Sequence, residues 1–587
     1  MCKNLPSWDL SELYSDIEDA NIFKDLDDIE KEIKQFAAQY QGKLSQASVG
    51  EIFSSIKTYE ALSDRLSRIM TYGSLIHAQK QDDAQVSRFW QGLRERVTQI
   101  VTHSIFYTLE INKQEDSTIK KWLADDKISH YQSWIKDIRK QKPYQLSDDV
   151  EQVLMEKSNT SSSAWVRLYD ETFAAYRFNM DGKKVGISEI LNALSAPTSA
   201  LRQKAAKALS QGLQENEDLV LRVYNTIIAD KAMEDNWRGF KAPISSMNLE
   251  NDIEDEVVEA LAAAVKRNYK HLSHRYYAYK AKKFGVDKLK YWDRNAPYPN
   301  QKEADWSFDE AKDFILKAYG GFSPKVAELA KKFFDNGWID AEAKAGKYSG
   351  AFAHSSAPSH HPYVLVNWFG KDRDLMTLAH ELGHGVHQLL AAEQGALMAD
   401  TPLTLAETAS VFGEMLTFRQ LLSEVKDNKT KELLLASKVE DMLNTVVRQI
   451  AFHHFETQVH QKRKAGELSA EDIRKIWMEV QRESLGEAIE FDDDYETWWG
   501  YVSHFFHAPF YVYAYAFGDC LVNSLYSAYT ENPKGFEEKY IKMLKAGGTK
   551  HHKELLAPFG LDATKADFWD KGLNMIAEFI DELEALA

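Results

Sequence analysis

Cysteine is nearly absent: the 587 residues contain only Cys2 and Cys520. One pair cannot make a disulfide framework, which points to a reducing compartment. Nor is there a run of about 18 apolar residues, so no membrane-spanning helix is expected. The opening stretch from Met1 to Asp9 lacks the apolar centre of a secretory signal. These absences together lead to the expectation of a cytoplasmic protein with no membrane partner. Positive charge is in deficit, with 72 Lys and Arg against 89 Asp and Glu and a formal net charge of −17. Such a chain is repelled by nucleic acid and by anionic lipid. Proline is missing between Ser7 and Lys140, glycine is scarce there, and the first third shows no low-complexity run. What remains, 44% hydrophobic and 27% charged, is a globular profile.

Apolar residues in the first third recur at helical spacing, as in Leu26, Ile29, Ile33 and Phe36 and again in Ile52, Ile56, Tyr59 and Leu62. Residues 9–160 therefore read as a series of amphipathic helices. Asp181-Gly182 between apolar flanks predicts a hairpin. Ala196-Pro197-Thr198-Ser199 breaks the chain, and a boundary is placed here. The spacing of Val258, Leu261, Val265 and Leu272 predicts one long helix from Asp255 to Lys283, ended by Gly285. Ser349 to Phe352 and Tyr363 to Trp368 are short, aromatic or β-branched, and bounded by Gly and Pro, so they read as strands. An edge strand there could hold a peptide by strand addition, and Gly350 could let its backbone come close. His354, His360 and His361 fall between these strands. A second metal site is conceivable there, but no carboxylate or cysteine accompanies them at ligand spacing, so they read as a solvated loop.

Chemistry concentrates in Ala379-His380-Glu381-Leu382-Gly383-His384-Gly385. On a helix, positions four apart share a face, so His380 and His384 can grip one Zn²⁺ while Glu381 holds a water for use as general base. The helix itself is predicted by the stripe Leu375, Leu378, Leu382, Val386, Leu389 and Leu390. Asp372 or Asp374 would cap its start and Gly395 would end it. A catalytic zinc needs a third protein ligand. His387, Glu407 and Glu414 are candidates. Leu390 stands where the metzincin pattern needs histidine, so that pattern fails. Glu407 and Glu414 are two helical turns apart and share a face. Either could reach the metal while the other orients a ligand histidine. The 22 residues between His384 and Glu407 are enough to finish one helix and enter another. Thr404-x-x-Glu407 is also a capping box.

Residues 501–516 gather two histidines, His504 and His507, with tyrosines that include Tyr511, Tyr513 and Tyr515. Tyrosine hydroxyls and imidazole N–H groups are suitable donors to an oxyanion. An aromatic core helix explains the same residues equally well.

The zinc-binding motif followed by Glu407-Thr408-Ala409-Ser410 resembles oligoendopeptidase F, of the thimet-oligopeptidase-like family of zinc metallopeptidases. Leu5-Pro6-Ser7-Trp8-Asp9-Leu10, Tyr291-Trp292-Asp293-Arg294-Asn295-Ala296-Pro297, Lys347-Tyr348-Ser349-Gly350-Ala351-Phe352 and Pro509-Phe510-Tyr511-Val512-Tyr513-Ala514-Tyr515 extend the resemblance along the chain. The helical and strand patterns predict a mainly α fold with a small β-sheet beside the zinc helix, and the resemblance adds an elongated, two-lobed molecule with a deep channel. It implies an N-terminal helical lobe over residues 1–195 and a catalytic domain over residues 196–587. It implies one Zn²⁺ held by His380, His384 and Glu407, with Glu381 as base and Tyr515 and His504 as oxyanion donors. Glu414, Gly350, Tyr511, Tyr513 and His507 are the further residues expected near the metal or substrate. The expected activity is internal cleavage of short unfolded peptides. Alternatives are a zinc carboxypeptidase or aminopeptidase on the same scaffold, or a non-catalytic peptide-binding relative.

Overall fold

The computed structural model describes residues 5–158, 160–299 and 304–586, so Cys2 lies outside the described residues. The fold is mainly α. Seven short strands punctuate the described residues: β1 (Phe178–Met180), β2 (Lys183–Val185), β3 (Leu289–Lys290), β4 (Ile339–Asp340), β5 (Phe352–His354), β6 (Tyr363–Leu365) and β7 (Ile489–Glu490). They pair as β1-β2, β3-β7 and β4-β6-β5. Among the described residues no helix is long and apolar enough to cross a membrane. Packing sorts the chain into two compact units. One comprises Met1–Pro143, Glu303–Ser423 and Tyr529–Gly560; the other comprises Tyr144–Lys302, Glu424–Ala528 and Leu561–Ala587.

In the first unit, the helices Ala20–Tyr40 and Val49–Gln79 form where the apolar spacing predicts them. Ile22, Leu26, Ile29, Ile33 and Phe36 are buried on one face of the first helix. Each such side chain contributes about 1.5–3 kcal/mol by leaving water. The second helix starts with a reciprocal cap: the Ser48 N–H donates to Glu51 (2.7 Å) and the Glu51 N–H to Ser48 Oγ (3.3 Å). Trp8, Leu10, Leu13 and Tyr14 join the same core, together with Tyr363 and Leu365 of β6.

In the three-stranded sheet, β6 pairs parallel with β4 and antiparallel with β5, which lies at an edge. β5 begins only at Phe352, the last residue of its predicted segment, and runs on to His354, and β6 ends at Leu365 rather than Trp368; side chains take carbonyls next to both. Asn367 Nδ2 donates to the carbonyls of Tyr348 (3.0 Å) and Gly350 (2.9 Å). Fully buried Lys347 donates to Asp340 Oδ1 (2.6 Å) and to the Val366 carbonyl (2.7 Å). A buried pair of this kind is costly to break from one side only.

In the second unit, β1 and β2 are joined by Asp181 (φ +57°) and Gly182 (φ +82°), the left-handed pair that a two-residue hairpin requires. Residues 255–283 are not one helix but two, Asp255–Asn268 and Ser273–Lys283. At the break Asn268 turns its side-chain amide onto the Ala264 carbonyl (2.9 Å), competing with the helix ladder. An aromatic core surrounds Tyr224, whose ring lies 5.5 Å from Trp499 and 6.3 Å from Phe505.

Candidate metal centre

The motif helix spans Asp372–Ala391, with Leu375, Leu378, Leu382, Val386 and Leu390 buried. Asp374 caps it from inside the first turn. Its carboxylate accepts the backbone N–H groups of Phe369 (2.8 Å) and Lys371 (3.0 Å). Asp372 instead accepts from Trp306 Nε1 (2.8 Å). The helix passes through a short turn to Gly395, whose φ is +83°. Gly383 is what admits the next helix, Leu403–Glu424. A Cβ on Gly383 would lie 2.4 Å from the Ala409 carbonyl oxygen. A Cβ on Gly413 of that second helix would strike the Tyr319 hydroxyl, which donates to the Ala379 carbonyl.

This close approach brings Glu407 to the histidines. Its Oε2 lies 3.3 Å from His380 Nε2 and 3.5 Å from His384 Nε2. One ligand atom from each of the three lies within 4.8 Å of the others. The same Glu407 oxygen accepts from Ser410 Oγ (2.7 Å). His380 turns its other nitrogen, Nδ1, to Glu414 Oε2 at 3.3 Å. His387 stands apart, with its Nε2 3.4 Å from Thr401 Oγ1.

Burial opposes charge on every group here, and the neighbours decide the outcome. Burial works against the charge of His380, but Glu407 and Glu414 outweigh it and hold its pKa well above the ordinary value. Burial pushes His384 down to about 4, only partly offset by Glu407. Burial pushes Glu407 up, but His380 and His384 outweigh it and bring its pKa to about 2. Glu381 is 8% exposed, and burial pushes its pKa up to about 7 although the Ala353 N–H of β5 donates to it. Two imidazoles and a carboxylate, with a further carboxylate orienting one ring, are the number and kind of donors zinc takes in catalytic sites. The residues fit that metal.

In the second unit, His504 Nε2 lies 3.2 Å from the Tyr515 hydroxyl. The Tyr511 ring stacks on His504 (centroids 6.0 Å apart) and meets Tyr515 edge-on at 5.3 Å. Phe510 bends the chain between them at φ +66°, a conformation unusual for a bulky residue. Its N–H is held by buried Glu456 Oε1 at 2.8 Å. Two residues expected with this group lie outside it. Tyr513 is fully buried and its hydroxyl accepts from Asn251 Nδ2 (2.9 Å), while His507 pairs with Asp170 (2.7 Å). Gly350, in the first unit, is explained by its neighbour: a Cβ there would lie 2.6 Å from the Tyr348 ring. The loop of His360 and His361 is not simply solvated, since both rings are mostly buried beside Glu12. The sequence reading missed Glu456, Tyr319 and the Ala353 N–H, whose roles depend on contacts between distant segments.

The family model described as Peptidase family M3 matches residues 192–575, and one described as Oligopeptidase F matches residues 110–178. The oligopeptidase PepF of Bacillus subtilis is 26% identical over 95% of this chain and 84% of its own length. An oligoendopeptidase F homolog of Lactococcus lactis is 25% identical over 99% of this chain and 97% of its own. The solved structure of oligoendopeptidase-F from Enterococcus faecium has a TM-score of 0.74 at 20% identity, covering 96% of this chain and 98% of that one. The helix-on-helix contact, the two histidines and the glutamate thus lie inside a matched segment that takes in most of the sequence. The chain belongs to peptidase family M3 and is a metalloendopeptidase.

Proposed function

We propose that this chain is a zinc-dependent oligoendopeptidase that hydrolyses internal bonds of short, unfolded peptides. The observation that carries the reading is the meeting of His380, His384 and Glu407 within 4.8 Å, with Glu381 buried beside them. The names of the relatives support the substrate class. Zinc held there would supply Lewis-acid polarisation of a carbonyl and acidify a water. His384, whose pKa burial brings down to about 4, is neutral at pH 7 and offers a lone pair. Glu414 draws the Nδ1 proton of His380 and so turns its Nε2 toward Glu407. Glu381 takes the proton of the attacking water and returns it to the leaving nitrogen. Burial pushes its pKa up to about 7, and a bound zinc would draw it back down toward the carboxylate form that takes the proton. Tyr515 and His504 are assigned as donors to the oxyanion. Burial lowers the pKa of His504 and keeps its ring neutral.

As part of the same proposal, residues 1–195 form an N-terminal lobe and residues 196–587 the catalytic domain. The enzyme works in the cytoplasm, a location suggested by the scarcity of cysteine. The test is an internally quenched peptide blocked at both ends. The reading expects cleavage at an internal bond, loss of cleavage with chelator, and recovery on adding zinc. An intact blocked peptide, with residues released only from free-ended ones, would favour the exopeptidase alternative.

A further inference from the structure

We infer that Glu12, His360 and His361 form a second divalent-metal site, of the zinc class, separate from the His380–His384–Glu407 group. His361 Nε2 lies 2.6 Å from Glu12 Oε1, and His360 Nε2 lies 3.8 Å from the same oxygen. One ligand atom from each of the three is within 4.8 Å of the others. The two imidazole side chains are 17% and 12% exposed, so the cluster is not a pair of free surface histidines.

The orientation of His361 points to a cation. Its Nδ1 lies 3.0 Å from the Pro362 carbonyl, which can only accept, so Nδ1 carries hydrogen. The neutral ring would then aim the Nε2 lone pair at a carboxylate 2.6 Å away. A cation must sit between them, either a proton on Nε2 or a divalent ion in its place. A backbone carbonyl on the other nitrogen is also how proteins fix the tautomer of a metal-bound histidine. Tyr363 donates its hydroxyl to Glu12 Oε1 (2.9 Å) and accepts from His360 Nε2 (3.0 Å), whose hydrogen a metal on that nitrogen would displace.

Each ligand stands on fixed ground, as a metal site needs. The His361 ring stacks on Trp338, centroids 4.0 Å apart at 10°. Glu12 sits on a turn whose neighbours Leu10, Leu13 and Tyr14 are buried, and Arg68 donates to the Glu12 and Leu13 carbonyls (3.2 and 3.4 Å). Ser359, just before the two histidines, is tied to Asp64. Two imidazoles with a carboxylate favour zinc over magnesium or calcium. With no buried carboxylic acid placed as a base, the site is a clamp. It pins the amino-terminal segment to the strand β6 that precedes the motif helix.

The test uses the full-length protein, stripped with chelator and dialysed against zinc, with bound metal measured per chain. Wild type should hold about two equivalents, and both Glu12→Gln and His384→Ala about one. Glu12→Gln keeps shape and should weaken the second site at least about tenfold, while zinc should no longer raise its melting temperature as far as it raises that of wild type. Because His361 packs on Trp338, a His361→Gln variant serves only to confirm a folded Glu12→Gln result. A wild type that binds a single equivalent, lost in His384→Ala and kept in Glu12→Gln, would overturn this inference and leave the proposed function standing. A single equivalent lost in Glu12→Gln and kept in His384→Ala would do the reverse. Two equivalents unaffected by Glu12→Gln would also overturn it, because the proton rather than zinc would then be the cation at His361.

Discussion

Two groups in the first unit share a donor set of two histidines and one glutamate, and they differ in everything around it. His380 is backed by Glu414, and Glu381 lies beside the group, buried to a pKa of about 7. His361 is backed by a backbone carbonyl and a stacked tryptophan, and its carboxylate, Glu12, is 45% exposed. On the proposed reading the first arrangement would hold a metal next to a group that can move a proton, and the second would hold its metal with no such group beside it. The contrast proposed is that ligands alone do not make a catalytic centre, and that the buried acid next to them, together with the carboxylate that sets the ring, does.

The sharpest way to break this contrast is Glu407→Ala. It should strip zinc from the first group, abolish peptide cleavage and leave the Glu12 group loaded, as metal analysis of the purified variant would read. Full zinc occupancy with only a stability loss would mean Glu407 merely caps its helix. Next in size is Tyr515→Phe, which deletes one proposed oxyanion donor in the second unit. It should lower kcat by roughly 10²-fold with KM little changed and metal content untouched. A change in melting temperature without a change in kcat would make Tyr515 a core residue. Glu414→Ala removes the backing of His380, and metal affinity or activity should fall by about 10–100-fold, measured by competition with a graded chelator.

A last effect concerns stability alone. Burial pushes the Glu456 carboxyl up to about 8, so it is protonated in the folded protein at neutral pH, whereas in the unfolded chain it ionises above its ordinary value of 4.5. The folded state then binds more protons, and stability should fall as pH rises from about 4.5 to about 8, by up to roughly 1.4 kcal/mol per unit. Glu456→Gln keeps an acceptor for the Phe510 N–H and should flatten that part of the pH–stability curve without changing zinc at either group. An unchanged slope in chemical denaturation would remove Glu456 as its source.

The first group was legible in the sequence because its spacing is local. His380 and His384 are one turn apart on a helix whose stripe is plain, and Glu407 follows on the next helix. The contact that brings Glu407 in depends on the missing side chain of Gly383 meeting the Ala409 carbonyl, and no periodicity announces that. The aromatic cluster proposed to supply the donors was half legible. Tyr511 and Tyr515 are four apart, but His504 reaches them through the left-handed turn at Phe510, and Tyr513 goes to the core instead. The Glu12 group was not legible, since its carboxylate comes from 349 residues away from His361. The mainly α fold followed from apolar spacing. The break after Asn268, the late start of β5 and the early end of β6 did not, because side chains there compete for backbone groups that spacing assigns to helix or strand.

The central claim is that Glu381 moves the proton at a metal held by its neighbours, and Glu381→Gln tests it most directly. Zinc content and turnover of the quenched, blocked peptide should be measured on one preparation of that variant. The account predicts wild-type zinc and turnover lower by at least roughly 10²-fold. Near-normal turnover in the zinc-loaded variant would contradict it.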